Sequence, residues 1–176
     1  MTESTDVIVI GGGPTGLSMA LHLEMYGIAS TLIETEPATR WHPKGNTNNA
    51  RTMELFRRLG IADQVRELGI PADHPFDIAF FTRLNAFEVA RGKTPSRAER
   101  MEMRRVAPAT DQVPEPPHRA NQMYVERLLF EHAAARQRID LKFGCTARSL
   151  QSLRERTGNS RVARRSTDRR QTGRGS

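Results

Sequence analysis

Four β-favouring apolar residues, Val7 to Ile10, run directly into Gly11-Gly12-Gly13-Pro14-Thr15-Gly16, and a helical apolar pattern starts immediately behind them. Few folds accommodate that succession. The strand must end in a turn too tight for side chains and feed straight into a helix, which commits the start of the chain to a βαβ unit. A second apolar run, Thr31-Leu32-Ile33, ends on Glu34. That acid lies about 20 residues beyond the glycines, the separation a dinucleotide fold requires.

Each residue type in this stretch has a physical task. Gly11 lets the chain turn sharply out of the strand, Gly13 removes a side chain where backbone meets a pyrophosphate, and Gly16 allows helix and strand to pack closely. A helix beginning near Pro14 points unpaired N–H groups and the positive end of its dipole at the phosphates. Pro14 suits that first turn because no N–H is needed there. With Thr15 between them and the last glycine, Gly11, Gly13, Pro14, Thr15 and Gly16 form the candidate phosphate-binding set. Glu34 accepts hydrogen bonds from ribose hydroxyls, and its charge disfavours the extra phosphate of NADP. The adenosine therefore belongs to FAD or NAD, the competing account being a glycine-rich turn in another α/β protein.

The net charge of +7 raises the question of a polyanion partner, which the location of the charge answers. From Gln151 to Ser176, eight arginines stand against Glu155 and Asp168, a net +6, so the preceding residues are nearly neutral. No nucleic-acid partner is expected. This stretch has Leu153, Val162 and Ala163 as its apolar residues, too few to offset the entropy of ordering, and it reads as disordered. An RNA-binding arginine arm is the sharper alternative, but aromatics for base stacking are absent. A frame shift or truncation leaving an unrelated tail is the blander one.

Cys145 is the single cysteine, which excludes a disulfide framework or a cysteine metal cluster, and no metal site is expected. The polar N-terminus and the short apolar run behind it do not read as a signal peptide, and nothing approaches the roughly 20 apolar residues of a membrane span. The expectation is a cytoplasmic protein with no membrane partner. At 176 residues the chain is long enough for one domain and could not easily make two.

Leu17, Ala20, Leu21 and Ile28 mark the buried side and exit of the first helix, with Gly27 as its C-terminal cap; His22 within it reads as a packed or solvated residue. The segment from Thr35 to Asn49 is a loop broken by Pro37, Pro43 and Gly45, where Trp41 and His42 either cover apolar surface or touch a ligand. Ala50 to Leu59 reads as a helix burying Met53, Phe56 and Leu59, stopped by Gly60, and Ile61 to Leu68 as a second, short one. Phe76 to Phe81 and Ala86 to Val89 are expected to pair as a hairpin. The charged, proline-rich stretch from Gly92 to His118 reads as a connection, Asn121 to Arg138 as a helix, and Ile139 to Phe143 as a third parallel strand.

With these motifs in place, the chain resembles the FAD-dependent aromatic hydroxylases of the para-hydroxybenzoate hydroxylase and phenol 2-monooxygenase type. The resemblance runs through DVIVIGGGPTGL and Glu34, through His42-Pro43-Lys44-Gly45-Asn46, through Asn49 to Ile61, and into Asn121 to Leu129, with order and spacing kept as far as Arg148. It implies FAD as cofactor, NAD(P)H as reductant, O₂ as co-substrate and a small aromatic substrate, phenolic or polyketide-like. It also implies that Lys44 lies near the flavin phosphates, that Arg51 belongs to an Arg-x-Met-Glu pattern at the same site, and that Gln122 contacts the pyrophosphate and ribityl chain. Read from the residues alone, the competing accounts are a solvated cation for Lys44, a helix-surface ion pair for Arg51 and an N-terminal cap for Gln122. The cofactor carries the hard chemistry, so no catalytic residue is assigned.

Members of that family are several times longer. The later Asp-Gly and Gly-Asp motifs and most of the substrate-binding sheet have no counterpart here. The expected architecture is a Rossmann-like, three-layer α/β FAD-binding domain, incomplete, over residues 1–150, including the hairpin at 76–90 as the start of a substrate-side β-sheet, followed by a disordered tail over 151–176. A substrate pocket would need completion by a C-terminal portion. A non-catalytic remnant of such an enzyme, or part of a halogenase or epoxidase, are the alternatives.

Overall fold

The structure, a computed structural model, describes residues 4–42, 44–106, 115–154 and 161–169, with side chains described up to residue 150 apart from residue 104. In chain order the elements are β1 (Val7–Ile10), α1 (Pro14–Met25), β2 (Ser30–Glu34), β3 (Thr47–Asn48), α2 (Ala50–Arg58), α3 (Ala62–Glu67), β4 (Ile78–Phe81), β5 (Glu88–Gly92), α4 (Arg97–Val106), β6 (His118–Arg119), α5 (Gln122–Ala134), β7 (Ile139–Phe143), β8 (Cys145–Arg154) and β9 (Arg161–Arg169). They form two compact units, residues 1–42 with 125–176, and residues 43–124.

The first unit is built on a parallel sheet of order β1-β2-β7, as the three apolar runs predict. Val9 stands opposite Leu32, and Leu32 opposite Leu141. Successive side chains of a strand point to opposite faces. Because Ser30, Thr31, Leu32 and Ile33 are all buried, β2 is covered on both faces, the arrangement of a three-layer α/β domain. α1 and β8 both pack on β2, α1 through Leu17, Ala20 and Leu21. Val125, Leu129 and Ala133 of α5 complete the core, and each such Leu contributes about 1.5–3 kcal/mol by leaving water. Gly27, at φ +76°, ends α1 as expected, and the buried Glu126 accepts the Arg40 N–H at 3.2 Å.

In the second unit, α2 starts at Asn49, whose side chain accepts the Thr52 N–H, and ends at Gly60 with φ +75°. Met53 and Phe56 of α2, Ile61, Ala62 and Val65 around α3 and Ala120 after β6 are buried, with Phe76 between the guanidinium groups of Arg100 and Arg119, 5.7 and 4.9 Å from the ring centre. Buried Glu115 accepts from Arg66 and pairs with Arg57 at 3.5 Å. β4 and β5 form the expected antiparallel hairpin, two to three residues later on its return strand than the sequence suggests. Its Ile78, Phe80, Phe81, Leu84, Phe87 and Val89 are exposed. Among the described residues no helix is long and apolar enough to cross a membrane.

Three stretches differ from the sequence reading. The connection from Gly92 to His118 contains α4, because Ser96 and Glu99 form a capping box: the Ser96 N–H donates to the Glu99 carboxylate at 2.7 Å and the Glu99 N–H to Ser96 Oγ at 3.2 Å. Charged residues of good helix propensity then carry the helix without a buried face. The loop from Thr35 to Asn49 contains β3, which pairs with β6, Thr47 opposite Arg119 and Asn48 opposite His118. Residues beyond 150, expected to be disordered, carry the end of β8 and all of β9, paired antiparallel with Leu153 opposite Val162. Backbone N–H and C=O groups supply that pairing, so apolar side chains are not its requirement. The remainder of the arginine-rich stretch, 155–160 and 170–176, lies outside the described residues.

Two outcomes test this account of the second unit. Ser96→Ala removes half of the capping box and is expected to cost about 1 kcal/mol, seen as faster hydrogen exchange across Arg97 to Val106. His118 is 1% exposed, its Nε2 has no partner among the described residues, and a Cβ on Gly69 would lie 2.1 Å from that atom. Burial first, then the charges of Arg97 and Arg66, pull its pKa down to about 4, against an opposing bond to the Val65 backbone. The unfolded chain therefore binds more protons than the native one between pH 6.5 and about 4. Stability from this group is complete above that window and is lost as pH falls through it, by on the order of 3 kcal/mol. Urea unfolding of the wild type against His118→Gln across those pH values should show the slope reduced in the variant.

Candidate functional site

The end of β1 and the start of α1 come together around the glycine run. Gly11 adopts φ +109°, a conformation side chains resist, and its N–H donates to the Ile33 carbonyl at 2.8 Å. Gly13 is the N-cap of α1 in extended conformation, with no side-chain cap, and Pro14 follows at the first helical position. The Leu17 N–H closes the first turn on the Gly13 carbonyl at 3.0 Å. The N–H groups of Thr15 and Gly16 precede that bond and remain at the helix end, where an anion is favoured.

The glycines differ in what surrounds them. A Cβ on Gly13 would meet nothing within 4 Å, so the chain is open there. A Cβ on Gly16 would lie 1.9 Å from the Gly11 carbonyl oxygen and 3.3 Å from Val9 Cγ1, so helix and strand are in contact through the missing side chain. On Gly12 it would strike Phe143 Cζ at 2.7 Å and Glu34 Cβ at 2.8 Å. Gly12 and Phe143 are the neighbours that reading the motif alone passes over. The available signal was the third glycine in a row and an aromatic at the end of the third strand.

Glu34 closes β2 beside this loop. Its Oε2 accepts the Gly12 N–H at 2.6 Å and its Oε1 the Glu36 N–H at 2.8 Å. Burial works against ionisation, but the N–H groups of Glu36, Gly12 and Thr35 and the charge of Arg40 outweigh it and hold the carboxyl below its ordinary value. It is thus an anionic acceptor. An ionised carboxylate offers about four lone-pair sites, so with these three N–H groups engaged about one remains for a hydroxyl of a ligand.

Lys44, Arg51 and Gln122 belong to the second unit. Lys44 is exposed. Arg51, its side chain 68% exposed, pairs with Glu54 at 2.5 Å on the surface of α2, which is the ion pair its spacing allows. Gln122 is the first residue of α5 and not its cap: its N–H donates to the Gly45 carbonyl at 2.8 Å, and its Oε1 lies 3.5 Å from where a Gly45 Cβ would be. The Ala120 N–H donates to the Asn46 carbonyl at 2.9 Å, so Gly45 and Asn46 are tied to the chain leading into α5. Trp41 is 85% exposed, its ring tilted against that of His42 with centroids 5.7 Å apart. His22 stays within α1, its Nδ1 2.7 Å from the Ser18 carbonyl, as a packed residue.

The profile of a protein family described as FAD binding domain matches residues 4–174, which takes in the arginine-rich stretch. The FAD-dependent monooxygenase apdD of Emericella nidulans is 41% identical over 88 residues, 48% of this chain and 14% of that protein. The aklavinone 12-hydroxylase DnrF of Streptomyces peucetius subsp. caesius is 34% identical over 148 residues, 84% of this chain and 29% of that one. Among solved structures, the flavin-dependent monooxygenase PieE in complex with FAD and substrate superimposes with a TM-score of 0.71 at 32% identity, over 84% of this chain and 25% of its own. The chain spans less than a third of the length of these proteins.

The close contact at Gly16 has a direct consequence. Gly16→Ala forces a methyl group onto backbone, which cannot rotate away, and is expected to lower stability by about 1–3 kcal/mol in thermal unfolding, more than the same change at Gly13.

Proposed function

The chain belongs to the FAD binding domain family, and from that premise we propose that it is the FAD-holding portion of a flavin-dependent monooxygenase that hydroxylates aromatic, phenolic or polyketide-like substrates. NAD(P)H is the proposed reductant and the cytoplasm the proposed location. The observation that carries the reading is the pairing of an open approach at Gly13, over the N-terminal end of α1, with an oriented carboxylate at Glu34. A diphosphate fits the first and an unphosphorylated adenosine ribose fits the second.

In this reading Gly11 shapes the turn, and Gly13, Pro14, Thr15 and Gly16 present backbone and helix end to the pyrophosphate. Glu34 accepts from the ribose hydroxyls. Lys44 and Arg51 supply positive charge for the phosphates, Arg51 by exchanging Glu54 for the ligand, and Gln122 supplies a side-chain amide. When bound, the flavin supplies the redox and oxygen-transfer chemistry, and the protein's part is binding, orientation and exclusion of water. Similarity to hydroxylases of aklavinone and phenol supports an aromatic substrate.

Titrating the purified chain with FAD, followed by flavin fluorescence, tests the reading. The wild type is expected to bind, Gly13→Val to lose binding by more than about tenfold because its branched side chain fills the open approach, and Glu34→Ala to weaken it by about ten- to a hundredfold. A folded wild-type chain that leaves FAD fluorescence unchanged would overturn it.

A further inference from the structure

Gly11 is explained by its positive φ, Gly16 by contact with backbone, and Gly13 by open space on the ligand side. Gly12 has none of these reasons. Its φ is not in the left-handed region, and it is buried. What its missing side chain accommodates is a packed pair, the Phe143 ring and the Glu34 stem, at 2.7 and 2.8–2.9 Å from the position a Cβ would take. Glu34 and Phe143 are register partners across β2 and β7, so they stand side by side at the ends of adjacent strands. The Phe143 ring is held in turn, edge to face against Phe130 with centroids 5.0 Å apart.

We propose that Gly12 is a positioning residue for cofactor selection: its N–H orients the Glu34 carboxylate toward an adenosine ribose, and its lack of a side chain lets Phe143 close the space behind that carboxylate. The inference rests on the FAD reading above and adds to it the means by which the acid is aimed. With Oε2 held by Gly12 and Oε1 by Glu36, Glu34 cannot rotate away from a ribose. It therefore meets a 2′-hydroxyl as a ready acceptor and a 2′-phosphate as a fixed like charge. An unanchored glutamate would swing aside and discriminate less.

The test measures binding of FAD, ADP and 2′-phosphorylated ADP to the full 176-residue chain. In Gly12→Ala the methyl group pushes the Glu34 stem and the ring apart. FAD affinity is expected to fall by about tenfold, and the preference for ADP over its 2′-phosphorylated form to shrink by a similar factor. Gly12→Ala with Phe143→Leu, which removes the ring atom nearest the new methyl group, should recover part of both, a rescue that general destabilisation would not give. Should Gly12→Ala not fold, Glu34→Gln with Gly12 intact reads the same anchor. One of its two side-chain positions becomes a donor facing a backbone N–H, so its loss of FAD affinity should match that of Glu34→Ala. A folded Gly12→Ala chain with wild-type affinity and wild-type preference overturns the proposal while leaving the FAD reading in place, as does Glu34→Gln binding like wild type. A folded wild-type chain binding neither FAD nor ADP overturns both.

Discussion

Where α1 turns back over the end of β1, the Gly16 α-carbon faces the Gly11 carbonyl oxygen with no room for a methyl group between them. That approach sets the line of the helix against the sheet, and much of the first unit follows from it. It carries Leu17, Ala20 and Leu21 onto β2 and leaves the first helical N–H groups beside the turn. The hydrogen bond from Gly11 to the Ile33 carbonyl ties the same turn to β2, and so to the strand that ends in Glu34. The glycine turn and the Glu34 carboxylate are thus two ends of one rigid arrangement.

β2 is the pivot of that arrangement because it lies between β1 and β7. A central strand with both faces covered has little freedom to slide, since a shift of one residue would draw the Glu34 carboxylate into the buried run. Glu34, the first residue past the buried run, is therefore placed by the core behind it. Its carboxylate orientation is fixed locally, by Gly12 and Glu36, so position and aim come from different parts of the molecule.

The parts of the fold legible in the sequence are those in which local and global preferences agree. The strand, glycine turn, helix and second strand read correctly because the turn residues, the apolar periods and the acid all point to one βαβ unit. Gly27 and Gly60 read correctly as helix ends because a positive φ selects glycine. α4 is hard to read from sequence although Ser96 and Glu99 announce it, because charge and nearby prolines outweigh a two-residue signal and the helix buries little to mark its phase. β3 and β6 are two residues each and pair over a distance in sequence that no local pattern records. Gly12 was legible only as one glycine among three, because its reason for being glycine is a phenylalanine more than a hundred residues away. The ion pair of Arg51 with Glu54 was readable from spacing, whereas the tie between Gln122 and Gly45 was not.

The β4–β5 hairpin stands apart from these well-covered elements. It is a two-stranded sheet with Phe80, Phe81, Leu84 and Phe87 in contact with water. A ribbon of this kind has two rows of outward backbone groups and an oily surface, which together make a template for a strand from another molecule. Addition of such a strand would be bimolecular, so concentration is the variable on which it would depend.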